Sequence, residues 1–195
     1  MRNRANLYAA ALIFAVLPGL AAAQTTPFPR PPASSPVLTL DYTRQTGYAS
    51  NQFALWLEDV KGNFIKTLFV TDYTGKQRGW RTRPQNMPEW QKKSDIKNRV
   101  VDIASGATPK TGTLRFEIPF RDNKNAPLPP GIYRICLEAN LRNTNMVRFY
   151  ADLDLYASNA YDTKIDLIPV YSPPEASQSP EAGMVTNVRL VYNLR

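Results

Sequence analysis

The chain has 195 residues but no histidine and only one cysteine, and these absences remove several classes of chemistry. Without histidine, Ser-His-Asp and Cys-His catalysis, histidine-ligated zinc or copper, and ordinary haem ligation are all excluded. Cys136 alone cannot form an intramolecular disulfide or a multi-cysteine metal or iron–sulfur site. A calcium site built from carboxylates is not excluded. A redox function in this chain would therefore need an organic cofactor.

Long hydrophobic runs are also scarce, and the one that exists lies at the N-terminus. Arg2 and Arg4 precede an apolar run at 7–17, which Pro18 interrupts before the small residues 21–23. This order is typical of a secretory signal peptide, and we expect residues 1–23 to be removed by cleavage between Ala23 and Gln24. The run is short for a membrane span and no second one follows. The sequence therefore predicts a periplasmic or otherwise exported protein with no transmembrane segment in the mature chain.

A proline-rich stretch separates the signal peptide from the rest of the chain. Residues 24–36 contain five prolines together with Ser and Thr, and such a stretch cannot pair into a β-ladder. We expect it to be a disordered leader.

From residue 37 onward, alternation of apolar and polar residues predicts about eight short strands. They are expected at 37–42, 52–58, 64–71, 113–120, 131–139, 147–155, 164–171 and 184–194. Helical character is confined to roughly 87–97, where Pro88 suits a first helical turn. We therefore expect residues 37–195 to form a single all-β domain, an immunoglobulin-like antiparallel β-sandwich with one short helix.

Positive charge is concentrated in one segment. Residues 76–99 contain eight basic and two acidic residues, whereas the chain from Gln24 onward keeps 22 of the 24 basic residues and all 16 acidic ones. The rest of the chain from Gln24 onward therefore has no net charge. Tyr73, Trp80 and Trp90 are interleaved with these charges. Solvated surface charge is one interpretation, and a site for a flat anionic ligand or an acidic partner is another; export argues against nucleic acid.

Immediately after the basic segment lies the motif Asp102-Ile103-Ala104-Ser105-Gly106-Ala107-Thr108. Pro109 disfavours the α region for the residue before it, so Thr108 should be extended with its hydroxyl displayed. Gly106 and Ala107 add little bulk beside that hydroxyl. An ordinary turn leading into the next strand is the alternative, since Asp, Ser, Gly and Pro all favour turns.

The motif resembles the acceptor site of extracytoplasmic flavin transferases. That pattern has Asp, two variable residues, Ser or Thr, Gly or Ala, Ala, and a final Thr or Ser, which correspond here to Asp102, Ser105, Gly106, Ala107 and Thr108. The resemblance implies that a transferase cleaves FAD with magnesium and leaves FMN as a phosphoester on Thr108. For the flavin ring we expect stacking by Trp80 or Trp90, with Tyr73 as a further candidate. Arg81 and Arg83, or the neighbouring Arg78 and Arg99, are the candidates for charge neutralisation.

A wider resemblance covers roughly residues 37–155. Phe53–Asp59, Lys61–Leu68, Trp80, Trp90 and Ser105–Thr108 look like the predicted periplasmic domain-of-unknown-function family 2271. Members of that family are often associated with flavin transferases and with membrane electron-transfer proteins of the PepSY type, which are the partners that the resemblance implies.

Two functional hypotheses follow from the sequence. The first is an exported redox protein with covalent FMN on Thr108, acting as an electron-transfer subunit rather than as a stand-alone enzyme, with no catalytic side chain of its own and no metal. The second is a non-catalytic immunoglobulin-like binding or assembly module whose basic patch meets an anionic partner.

Overall fold

The computed structural model describes residues 36–46, 50–98, 105–154 and 163–192. The predicted signal peptide, the predicted leader up to residue 35, and Asp102 and Arg99 lie outside these ranges.

The described residues contain ten strands. Their bounds are β1 Val37–Tyr42, β2 Gln52–Asp59, β3 Phe64–Thr71, β4 Ser105–Gly106, β5 Gly112–Glu117, β6 Ile132–Arg142, β7 Asn145–Asp154, β8 Thr163–Asp166, β9 Val170–Ser172 and β10 Val185–Tyr192. They form a four-stranded sheet in the order β5-β1-β10-β8 and a six-stranded sheet in the order β4-β3-β2-β6-β7-β9. All pairings are antiparallel except β3 with β4. The predicted all-β sandwich is confirmed.

The helical content differs from the prediction. Among the described residues between β3 and β4 there are three short α-helices, α1 Asp72–Gly75, α2 Gly79–Thr82 and α3 Pro88–Ser94, and 3-10 turns follow at Pro174–Gln178 and Pro180–Met184. The single helix predicted at 87–97 corresponds to α3. The expectation of only one helix is wrong, because α1 and α2 are one turn each and too short to show apolar periodicity.

The strand predicted at 164–171 is also corrected. It is divided into β8 and β9 by residues 167–169. Pro169 has no backbone N–H to donate to a ladder, which accounts for the interruption.

The main core lies between the two sheets, and every second residue of β1, β2 and β6 contributes to it. On β1 the side chains of Leu38, Leu40 and Tyr42 are buried, and on β2 those of Phe53, Leu55 and Leu57 face them. The same side of β6 contributes further buried residues, Ile135, Leu137 and Ala139. Alternation in the sequence therefore identifies the inner face of the sandwich.

The outer face of the six-stranded sheet is buried as well. A second cluster contains Ala54, Trp56, Val70, Met87, Trp90, Ile96 and Cys136. The first seven residues of β2 are consequently all buried, because the segment that carries α3 covers that face. Burial raises the pKa of the Cys136 thiol, so it is a packed core residue and not a reactive one.

A buried carboxylate attaches α3 to this face. Glu138 on β6 is fully buried, and its carboxylate accepts hydrogen bonds from the backbone N–H groups of Trp90, at 2.9 Å, and Glu89, at 3.3 Å. The Nε of Arg148 donates to the same carboxylate at 3.0 Å. The residue that precedes the helix, Met87, supplies no side-chain cap, so Glu138 satisfies the first-turn donors from the sheet.

Replacing Glu138 should therefore destabilise the domain strongly. Glu138→Ala leaves two helix N–H groups without their acceptor and Arg148 with Glu89 as its remaining partner, and we expect a loss of about 2–4 kcal/mol in the free energy of unfolding, measured by urea denaturation. Asp152→Asn, which breaks the exposed ion pair with Arg134, is the control and should cost about 1 kcal/mol or less. Equal losses would contradict the assigned role of Glu138.

Candidate functional site around Thr108

The acceptor motif lies where the chain passes from one sheet to the other. Ser105 and Gly106 form β4, which pairs in parallel with Val70 and Thr71 at the edge of the six-stranded sheet. Residues 107–110 have no regular structure and lead into β5 of the four-stranded sheet. Ala107 is exposed and Thr108 is half-buried. The first described residues of the motif are thus fixed by a strand pairing, whereas its last two lie in a connecting loop.

Gly106 has a packing reason to be glycine. A Cβ built at this position would lie 2.8 Å from Cε2 of Phe69, closer than carbon atoms normally approach. The Phe69 ring is itself held by stacking on Phe53, at a centroid distance of 5.1 Å, and by contact with Phe116 at 5.2 Å. The chain therefore passes the aromatic core closely just before Thr108.

Thr108 lines a polar cleft of about 790 Å³, a volume within the usual range of small-molecule sites. The lining residues are Arg44, Gln45, Thr46, Ser50, Asn51, Gln52, Tyr73, Arg83, Thr108 and Thr111. These described lining residues include two guanidinium groups, several hydroxyls and amides, and no carboxylate. The lining is therefore suited to a polar, anionic ligand.

One wall of the cleft is the connection between β1 and β2, and Asn51 holds it in shape. The Asn51 side chain accepts from the backbone N–H of Gln45 and donates to its carbonyl oxygen, both at 2.8 Å. The Tyr42 hydroxyl donates to the same amide oxygen at 3.4 Å, and burial raises the pKa of Tyr42 to about 12, which keeps that hydroxyl protonated. The backbone N–H of Arg44 donates to Thr111 Oγ1 at 2.9 Å. This last bond joins the wall to the loop that carries Thr108.

Another part of the wall comes from the helical segment. The Tyr73 hydroxyl and Thr82 Oγ1 are hydrogen-bonded at 2.9 Å, and Cζ of Arg83 lies 5.7 Å from the centroid of the Tyr73 ring. A Cβ on Gly79 would lie 2.5 Å from atoms of Tyr73, so a glycine is needed for the tyrosine to occupy this position. Tyr73 and Arg83 therefore hold each other at the cleft.

The sequence-predicted residues separate into two groups. Arg83 and Thr108 line the cleft, together with Tyr73. Arg81 and Trp80 pair with each other, with the guanidinium carbon 4.8 Å from the ring centroid, and they are not among the lining residues. Ser105 lies beneath the loop, and its Oγ is buried without a hydrogen-bond partner in the described part of the chain.

Trp90 does not fit its expected role. Its side chain is fully buried in the second cluster, and its Nε1–H donates to Thr67 Oγ1 at 3.0 Å. No face of the ring is open to a flavin, so we do not retain Trp90 as a cofactor-binding candidate. Asp102 lies outside the described residues and stays a prediction.

Sequence reasoning missed Arg44. A single arginine in the β1–β2 connection carries no local signal, and only the fold brings it to the cleft that contains Thr108. The turn in this connection does leave a signal in the sequence, because Asn51 has a positive φ of 54° and asparagine is a residue type that tolerates this conformation.

A family model described as "Predicted periplasmic protein (DUF2271)" matches residues 37–165, which include every residue of the cleft. The comparisons with curated proteins and with solved structures give no match. No helix in the described ranges is both long and apolar enough to cross a bilayer.

The close approach at Gly106 can be tested by adding one methyl group. Gly106→Ala should lower the free energy of unfolding by about 1–3 kcal/mol, because the Phe69 ring or the loop must shift. Gly183→Ala is the matched control, since a Cβ there meets nothing within 4 Å, and its effect should stay within about 0.5 kcal/mol. Urea denaturation of both variants measures the difference, and an unaffected Gly106→Ala protein would show that the loop is not packed as described.

Proposed function

The chain belongs to the family described as "Predicted periplasmic protein (DUF2271)", and from this premise we propose that it is an exported redox protein carrying FMN covalently on Thr108. A bound flavin supplies one- and two-electron redox chemistry. This chain's own residues would tether the flavin, orient it and neutralise its charge. Electron transfer outside the cytoplasm is the activity that this arrangement supports.

The observation that carries the proposal is the location of Thr108 in a cleft whose described lining residues include two arginines and no carboxylate. A flavin joined through its phosphate brings negative charge to the point of attachment. Guanidinium groups are the side chains best suited to meet phosphate oxygens, and Arg44 and Arg83 lie in the same cleft. Among the described lining residues, Tyr73 is the aromatic one and the candidate for contact with the flavin ring.

The state of the Thr108 hydroxyl also supports the proposal. No hydrogen bond within the described residues uses it, whereas the hydroxyl of Thr111 in the same cleft accepts from the backbone N–H of Arg44. Thr108 is half-buried and the preceding Ala107 is exposed. An uncommitted hydroxyl beside a small exposed residue is accessible to a second enzyme.

The partners implied by the resemblance belong to the same proposal. The flavin transferase would join the Thr108 oxygen to the flavin-side phosphorus of FAD, so that AMP leaves and the hydroxyl proton is lost. A membrane protein of the PepSY type would then exchange electrons with the attached flavin. Neither step requires a catalytic side chain from this chain.

Flavinylation is tested by intact mass after coexpression with a flavin transferase. The wild-type protein should gain the mass of FMN less one water, Thr108→Ser should keep the adduct, and Thr108→Ala should lose it. Thr113→Ala is the matched control, because it removes a nearby threonine hydroxyl that bonds to Asp41 and is not among the described lining residues of the cleft, and it should be modified like the wild type. An unmodified wild type, or an adduct that survives Thr108→Ala, would refute the assignment.

A binding or assembly module is the second candidate, favoured by the basic side chains that the helical segment exposes. Lys76, Arg78, Arg81, Arg83, Lys92 and Lys97 are all exposed. Such a surface fits an anionic partner without any flavin. The absence of yellow colour after denaturation of coexpressed protein would favour this candidate.

A further inference from the structure

We propose that Arg44 and Arg83 form an anion-binding pair that recognises the phosphate of flavin mononucleotide independently of the covalent bond. This inference rests on the proposed function for the identity of the ligand. The pair itself is argued from the cleft.

The two arginines come from different parts of the fold and meet in one cleft. Arg44 lies in the β1–β2 connection and Arg83 directly follows α2. The backbone of Arg44 is tied to Thr111, three residues beyond Thr108, and the backbone N–H of Arg83 donates to Gly79 O at 2.8 Å. The backbone at both positions is therefore held by the protein, and both side chains are exposed.

Neither guanidinium is neutralised within the described chain. Arg134 pairs with Asp152, Arg148 with Glu138 and Glu89, and Arg189 with Asp166. In contrast, no carboxylate pairs with Arg44 or Arg83 in the described residues, and none lines the cleft. Two unpaired cations inside one concave site raise its positive potential and favour an anion there.

Arg83 lies beside Tyr73, with 5.7 Å between its Cζ and the centroid of the ring. No hydrogen bond or ion pair among the described residues uses the Arg83 guanidinium, so its N–H groups are available to an acceptor. In-plane N–H donors are the ones that bind phosphate oxygens in bidentate fashion. The hydroxyl and amide groups of Thr46, Ser50 and Gln52 line the same cleft and are suited to the polar remainder of the ligand.

The test compares FMN with riboflavin, which is the same molecule without the phosphate. The full chain is produced without transferase, so that Thr108 is unmodified, and each flavin is titrated by fluorescence or calorimetry. We expect FMN to bind at least about tenfold more tightly than riboflavin, as charge-assisted hydrogen bonds require. Inorganic phosphate should compete with FMN, and added salt should weaken FMN binding more than riboflavin binding.

Substitution of each arginine then tests whether the pair causes the preference for FMN over riboflavin. Arg44→Gln and Arg83→Gln should each reduce the preference for FMN by about tenfold. Arg81→Gln is the matched control, because Arg81 also lies beside an aromatic ring, two residues from Arg83, but is not among the described lining residues of the cleft, and it should leave the preference unchanged. Circular dichroism of each variant checks its fold.

The two proposals can fail separately. Equal affinity for the two flavins, no measurable binding of either, or an equal loss in Arg81→Gln would overturn the anion-binding pair even if Thr108 is flavinylated. A clear preference for FMN that disappears in Arg44→Gln and Arg83→Gln would support the pair even if coexpression gives no adduct.

Discussion

The hydrogen bonds of the buried Glu138 carboxylate to the first turn of α3 determine where the helical segment lies, and the cleft depends on that segment. The main chain from Asp72 to Pro88 is held at its far end by these bonds and at its near end by its continuity with β3. Between the two ends, the buried side chain of Asn86 accepts from Ser50 Oγ at 3.3 Å. Ser50 belongs to the wall of the cleft. A hydrogen bond therefore joins the helical segment that covers the sheet to the polar wall of the cleft.

The strands could be predicted from the sequence because alternation reports burial on one face. β1, β2 and β3 lie within one residue of their predicted bounds. The outer cover of the six-stranded sheet was harder to foresee, although the run Phe53–Leu57 is apolar throughout, as expected of a strand buried on both sides. The single-turn helices α1 and α2 carry no pattern of sufficient length. Their positions are set by contacts such as that of Gly79 with Tyr73.

The candidate site was predictable to the extent that its residues are consecutive. Thr108 follows from the motif, and Arg83 from the charged segment. Arg44 is far from both in sequence and reaches the cleft through chain folding, which no local pattern encodes. For Trp90 the prediction was wrong in the other direction. An aromatic residue among lysines is typical of a binding surface, but the Trp90 ring packs into the core. Charge density along the chain therefore identified the segment that contributes to the cleft but not which of its side chains line it.

Two different constraints act on the predicted acceptor motif, and they fall on different residues. Gly106 is required to be small by the Phe69 ring, so a glycine at this position would be expected in this fold with or without a cofactor. Ala107 and Thr108 have no such packing reason, since one is exposed and the other leaves its hydroxyl unbonded among the described residues at the edge of a basic cleft. Packing therefore explains the glycine of the motif but not its last two residues, and the proposed acceptor role of Thr108 rests on the cleft beside it.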